Sequence, residues 1–477
     1  MATLDFSDYT LYRLRYIIGY TLVGLLLAGL LVFAGLFIPG GISANEMASV
    51  VRSESLSFAD PNSFLIANMP FYALQSAIFA VAGVSIFTIK LPALILALLS
   101  AIGFILLLRR WFKPNIAVLA SLIAISTGQF LFIAQQGTPA ILYVFWPIAL
   151  LLLGTQITRG KRLRILWKIL FVIVAALSLY TPLSIYSHLA IILTIALHPH
   201  LRNAVRRLSR VKITVSAVIF LALVAPLVWG IFKSPQLGLT LLGVPTDWPP
   251  DLVENSVTVL KQYFLFWGTS NTAVLAPVFG LGSVLLISLG LYRLILTREA
   301  TRSYLVIIWL ICLTPILILN PLFTSVTFIP SMLLLAAGLT SLISYWYRLF
   351  PHNPYARVAG LVPIVILVFA LIATGLSRYV YGYHYSPDIA PLFSNDLRIL
   401  PKDTKQLVVS EQELPFFTSV AAYRDGLEAV TSPTAETITA TRAARTQIPT
   451  TYEIIDIVTS SRSSEADRLY IYKKTAE

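Results

Sequence analysis

The stretch "IKLPALILALLSAIGFILLLRRWF", residues 89–112, carries Lys90 near its start and Arg109 and Arg110 near its end. Between them, Leu91 to Leu108 contains no charge. About 20 apolar residues in an α-helix cross the hydrocarbon core of a bilayer. A closed barrel is the other backbone that satisfies all its hydrogen bonds in lipid, but its strands alternate apolar with polar residues. These residues do not alternate. The stretch therefore reads as a membrane-spanning helix over about 88–108, with its arginines at one membrane face.

The whole chain repeats this pattern. Its 477 residues are 57% hydrophobic and 12% charged, with a mean hydropathy of +0.80. A soluble domain is about 25% charged, so the chain reads as an integral membrane protein, mainly α and polytopic. Eleven spans are expected, near 15–38, 88–108, 115–133, 139–157, 166–181, 183–198, 212–232, 272–292, 303–320, 322–345 and 358–378. At 181–183, Pro182 either separates two helices or kinks one. The first span is too long for a signal-peptide core and is expected to stay as a signal anchor.

Basic residues fix the orientation. They cluster at Arg13 and Arg15, in "RRWFK" (109–113), "RGKRLR" (159–164), "LRNAVRRLSRVK" (201–212) and "YRLILTREATR" (292–302), and at Arg348 and Arg357. The opposite connections hold only Arg52, Lys90, Lys233 and Lys261. The positive-inside rule makes the first set cytoplasmic, with the N-terminus inside and the segment after the last span outside. The net charge of +13 is then an orientation signal, and no nucleic-acid partner is expected. No span interior carries an acid, which argues against an ion-coupled carrier. Acids gather instead on the outer side, as Glu46, Glu54 and Asp60 in one loop and Asp247, Asp251 and Glu254 in another. The single cysteine, Cys312, and the five scattered histidines give no metal-ligand spacing, so no metal is expected.

Two outer loops, 39–87 and 233–271, belong to an expected membrane domain of residues 1–387. In the first, "SANEMASVVRSESLSF" is amphipathic, and Ser43 with Glu46 forms an S-x-x-E capping box. "MPFYALQSAIFAVAG" (69–83) is apolar but short, which fits an interfacial or re-entrant helix. Residues 388–477 hold 13 of the 22 acids and read as a small extracytoplasmic α/β domain with an accessory or docking role. There "KQLVVS" (405–410), "YEIIDIVTS" (452–460) and "DRLYIYKK" (467–474) read as strands, and 414–430 as a helix ending near Gly426. The Thr-rich 431–451 reads as a flexible insertion.

The order of these features resembles the GT-C membrane glycosyltransferases, most of all the protein O-mannosyltransferase and aminoarabinose-transferase branch. The resemblance rests on Asn45-Glu46, "NMPFYALQSAIFAVAG" (68–83), "IKLPALILALLS" (89–100), "RRWF" (109–112) and the span pair in 115–154. It covers residues 15–160 best and the later spans by count and topology. It implies an enzyme of the cytoplasmic membrane that moves a sugar from a polyprenyl-phosphate donor to a glycan, lipid or protein acceptor outside the cytoplasm. The lipid-linked donor is a substrate, and no cofactor is firmly implied. Glu46 is the expected base, with Asn45 at the family's usual catalytic Asp. Lys90 would offset the leaving phosphate, while Asn68, Tyr72, Gln136 and Asp247 are expected to line the site. The family's charge after the third span is replaced by "AQQGTPA" (134–140), and no Arg-Tyr pair stands in 324–339. Two alternatives stay open: a noncatalytic GT-C-like scaffold that binds polyprenyl lipid or a protein partner, and a transporter.

Overall fold

A computed structural model describes residues 10–37, 41–57, 59–159, 164–206, 210–245, 248–266, 278–349, 354–385, 389–394, 396–459 and 468–475. The first half builds α1 (Thr10–Phe37), β1 (Ile42–Ser43), α2 (Ala44–Glu54), α3 (Met69–Ala82), α4 (Ile86–Trp111), α5 (Pro114–Ile125), α6 (Gly128–Gln135), α7 (Leu142–Arg159), α8 (Arg164–Ser178) and α9 (Ser184–Leu197). There follow α10 (Pro199–Arg206), α11 (Arg210–Lys233), α12 (Pro235–Leu242), α13 (Leu252–Phe264), α14 (Leu281–Leu296), α15 (Thr301–Leu319), α16 (Phe328–Leu349), α17 (Pro354–Ala359) and α18 (Leu361–Ser377). The C-terminal part consists of β2 (Phe393–Ser394), α19 (Asp396–Ile399), β3 (Gln406–Val408), α20 (Leu414–Ala421), β4 (Glu428–Val430), β5 (Thr437–Thr441), β6 (Tyr452–Thr459) and β7 (Arg468–Lys474).

Each of the eleven expected spans contains helix among its described residues, but the lengths differ. Among the described residues six helices are long and apolar enough to cross a membrane, or seven if α5 and α6 count as one bent span. The other four, Ile17–Phe33, Ile165–Ser178, Ser184–Leu197 and Leu281–Leu296, are apolar but shorter. Helix length thus supports a multi-pass membrane protein without fixing the count at eleven.

Local chemistry explains the breaks. The span expected at 115–133 is bent by 60° between α5 and α6. Thr127 recaps the chain there by accepting from the Phe130 N–H at 3.3 Å. Pro182 does separate two helices, α8 and α9, with Leu183 in the left-handed region at φ 62°. Elsewhere helices lie close together. A Cβ on Gly290 of α14 would strike the Leu334 carbonyl of α16, so only glycine admits that approach.

The C-terminal part folds as one mixed sheet of order β4-β3-β5-β7-β6. Strand β3 runs parallel to both β4 and β5, while β5, β7 and β6 are antiparallel in turn. The three strands read from sequence are present. Two expectations are corrected. The helix expected over 414–430 stops at Ala421, and Glu428–Val430 is a strand. The segment expected to be a flexible insertion supplies the central strand, Thr437–Thr441, with four of its five residues buried. Its threonines are β-branched, and β-branched residues suit a half-buried pleated surface despite their polarity.

The sheet does not stand apart from the membrane part. Ile42 pairs with Ser394 and Ser43 with Phe393 in a two-stranded antiparallel ladder. One apolar core joins Ile42, Val50, Phe79 and Ile89 to Leu407, Phe416, Phe417 and Val420.

Candidate functional site

The site is built at the start of α2. Ser43 leaves β1 extended, at φ −88° and ψ 161°, which frees its side chain to cap the helix. The capping box read from the sequence is complete. The Ser43 N–H donates to Glu46 Oε2 at 2.7 Å, Ser43 Oγ donates to the same oxygen at 3.1 Å, and the Glu46 N–H donates to Ser43 Oγ at 3.3 Å.

Glu46 also reaches beyond its own helix. Its Oε1 accepts the Gly137 N–H at 2.7 Å, from the turn after α6. Lys90 Nζ lies 3.9 Å from the same oxygen. The Glu46 side chain is fully buried and Lys90 is 4% exposed. Among the described residues the Lys90 ammonium has no hydrogen-bond partner. It also feels the like charge of Arg398, from the C-terminal part. A buried charge costs several kcal/mol unless paired and hydrogen-bonded, so Lys90 is under-compensated among the described residues.

The other expected residues fall around this knot unevenly. Asn45 is exposed beside Glu46. Asn68 sits just before α3 in the left-handed region at φ 60°, with its N–H donating to the Tyr180 carbonyl at 2.7 Å. Tyr72, on α3, is 2% exposed, and its hydroxyl accepts from Arg52 of α2 at 3.2 Å. Gln136 is half-buried next to Gly137, in extended backbone. Asp247 lies outside the described residues.

A polar hub behind the knot was not read from sequence. Gln75 Oε1 accepts from Ser49 Oγ at 2.9 Å and Ser53 Oγ at 2.6 Å. Its Nε2 donates to the carbonyl of Ile89 at 3.0 Å and that of Gly137 at 3.4 Å. The hub ties α2, α3, α4 and the α6–α7 turn together. The available signal was a glutamine inside the apolar run "FYALQSAIF" (71–79), since a buried amide demands partners. Gly137 is sterically required there, because a Cβ would meet the Ile89 carbonyl oxygen at 2.5 Å.

At the rim, Tyr423 Oη donates to both oxygens of Glu54, at 3.2 and 3.1 Å. Burial raises the Glu54 carboxyl above its ordinary value, and the Tyr423 hydrogen bond opposes that rise.

These helices and this loop form a GT-C fold. Residues 69–229 match the family described as dolichyl-phosphate-mannose-protein mannosyltransferase. ArnT from Cupriavidus metallidurans, solved bound to undecaprenyl phosphate, is 12% identical with a TM-score of 0.54, over 95% of this chain and 98% of that one. The oligosaccharyltransferase of Archaeoglobus fulgidus is 15% identical with a TM-score of 0.53, over 84% of this chain and 61% of that one. A further structure of that archaeal enzyme, AglB, in complex with an inhibitory peptide and a dolichol-phosphate, gives 15% identity and a TM-score of 0.51, over 87% of this chain and 64% of that one. No curated protein matches the chain in sequence. The chain as a whole thus shares the fold of these solved structures.

Proposed function

We propose that this chain is a membrane glycosyltransferase that takes a sugar from a polyprenyl-phosphate donor and passes it to an acceptor at the face bearing α2. The observation that carries the reading is Lys90, a buried ammonium without a hydrogen-bond acceptor among the described residues. A lipid phosphate brings the acceptor oxygens that Lys90 lacks. When the glycosidic bond to phosphate breaks, the charge developing on the leaving oxygen is stabilised by the ammonium already in place. The family match spans Lys90, Tyr72 and Gln136, and ArnT and AglB were solved with polyprenyl phosphates bound.

Glu46 holds Lys90 and the Gly137 turn in register, and we assign it this orienting role first. To act as the base on an acceptor hydroxyl, it must give up donors that now fill both its oxygens. Asn45 is the residue exposed beside it, and an amide is not a useful base. That substitution favours a second reading, a scaffold that binds the lipid without turnover.

The test uses membranes supplied with undecaprenyl-phosphate-linked radiolabelled sugar. Lys90→Met should weaken undecaprenyl phosphate binding at least about tenfold and abolish transfer, because one member of a buried charge pairing is lost. Asn45→Asp should preserve or raise turnover. Wild-type protein that binds the lipid and transfers nothing would leave the scaffold. Lys90→Met with full activity would overturn the assignment of the phosphate site.

A further inference from the structure

The helical bundle contains a small hollow. It sits between the first turns of α7 and α9, the middle of α15 and the turn before α16. Tyr143, Thr181, Ser184, Ser187 and Trp309 line it. Its volume is about 240 Å³ including the open mouth.

Two of the lining residues carry a buried polar group unused by the fold. Trp309 is 2% and Ser184 8% exposed, yet among the described residues neither Trp309 Nε1 nor Ser184 Oγ has a hydrogen-bond partner. Their neighbours are satisfied. Trp146 Nε1 donates to Thr181 Oγ1 at 2.8 Å, and Ser187 Oγ donates to the Ser184 carbonyl at 2.7 Å. An indole N–H only donates, so its complement must offer a lone pair. None of the lining residues is charged, which disfavours a phosphate, a carboxylate or an amine as occupant. A neutral hydroxyl fits: it accepts from Trp309 and exchanges a hydrogen bond with Ser184.

The hollow also adjoins the candidate site along the chain. The Gly137 turn that binds Glu46 leads through Pro139–Ile141 into Leu142 and Tyr143, which form part of the wall. We propose that this hollow is the sugar-reading subsite: one hydroxyl of the donor's sugar enters it, with Trp309 and Ser184 as its hydrogen-bonding partners. The assignment rests on the lipid-linked-donor reading above. It adds that selectivity among donors is set by a single neutral hydroxyl and not by charge.

The experiment compares the full chain in lipid nanodiscs binding bare undecaprenyl phosphate with binding the same lipid carrying mannose, glucose, galactose or aminoarabinose. At least one glycosylated lipid should bind more tightly than the bare lipid. Trp309→Phe and Ser184→Ala should each cut that advantage about tenfold while leaving bare-lipid affinity unchanged, as expected where a site hydrogen-bonds a substrate hydroxyl. Thermal melting of Ser184→Ala, the smaller change, confirms that the fold persists. If both variants keep the advantage, the hollow holds only a structural water and the subsite is refuted. If wild type binds bare lipid but prefers no member of the panel, the subsite falls while the lipid reading stands. If wild type binds neither kind of lipid, both fall.

Discussion

Replacing Glu46 with glutamine tests whether this carboxylate holds the loop together. In the native site it accepts the Gly137 N–H at 2.7 Å, the Ser43 N–H at 2.7 Å and the Ser43 hydroxyl at 3.1 Å. A glutamine has one acceptor oxygen, so its NH₂ must face either the Gly137 or the Ser43 amide. That leaves one buried N–H orphaned, at about 1–3 kcal/mol. The substitution also removes the counter-charge 3.9 Å from Lys90. Deleting one partner of a buried pair typically costs about 3–5 kcal/mol, and here the looser separation argues for the lower end. The two effects share atoms and do not add, so we expect about 3–4 kcal/mol in all. Against a typical total of about 5–15 kcal/mol, such a loss is large. Hydrogen exchange reads it locally: peptides covering 41–46 and 134–141 should exchange about 100–1,000 times faster in Glu46→Gln, while peptides from α14 and α16 hold their protection. Native exchange in both peptides, with unchanged melting, would refute the anchoring role and return Glu46 to the status of an ordinary helix cap.

Gly137→Ala places a methyl 2.5 Å from the Ile89 carbonyl oxygen and 2.6 Å from its Cγ2, so the turn or the start of α4 must shift. The expected cost is about 1–3 kcal/mol in melting, with weakened undecaprenyl phosphate binding because Lys90 follows Ile89; native affinity would contradict it. The Glu54–Tyr423 contact should make docking of the C-terminal part pH-dependent. Burial lifts the folded-state Glu54 value above its ordinary 4.5, so its stabilising contribution is present below that value and is lost as pH rises through the folded one. Melting measured between about pH 4 and 7 should therefore slope less in Glu54→Gln, and more in Tyr423→Phe, which removes the opposing hydrogen bond. Equal slopes in all three proteins would remove Glu54 as the titrating group.

Much of this was legible in the residues, for identifiable reasons. Membrane character follows from composition, and the Ser43–Glu46 capping box is a local pattern of three-residue spacing that needs no tertiary information. The apolar side of α2, with Met47, Val50 and Val51, follows from helical periodicity and does pack inward. The bond from Gly137 to Glu46 joins parts of the chain 91 residues apart, and no local rule connects them. The α5–α6 bend did have a local sign, the polar break "STGQ" (126–129), but such a break does not by itself tell a bend from a continuous span, and the close approach of Gly375 to the Ser126 carbonyl becomes visible only in three dimensions. Strand β5 was missed because polarity was weighed over β-branching in "TITAT".

The C-terminal part was expected to be an accessory, yet it helps to form the site it faces. Helix α2 has 11 residues, short enough that its order must come from packing and not from intrinsic helix stability. Val50 supplies that packing by entering the core formed with Leu407, Phe416 and Phe417, all beyond the last helix of the bundle. The helix entrance is set in the same way. Ser43 is both the cap that binds Glu46 and the partner of Phe393 in the β1–β2 ladder, so the extended backbone needed for capping is held by pairing with the C-terminal segment. Arg398 extends the influence to charge, since it opposes Glu46 in acting on Lys90. The C-terminal part therefore holds the entrance and the packed face of α2, and with them the position of Glu46, which explains why the loop, the bundle and the C-terminal strands share one core.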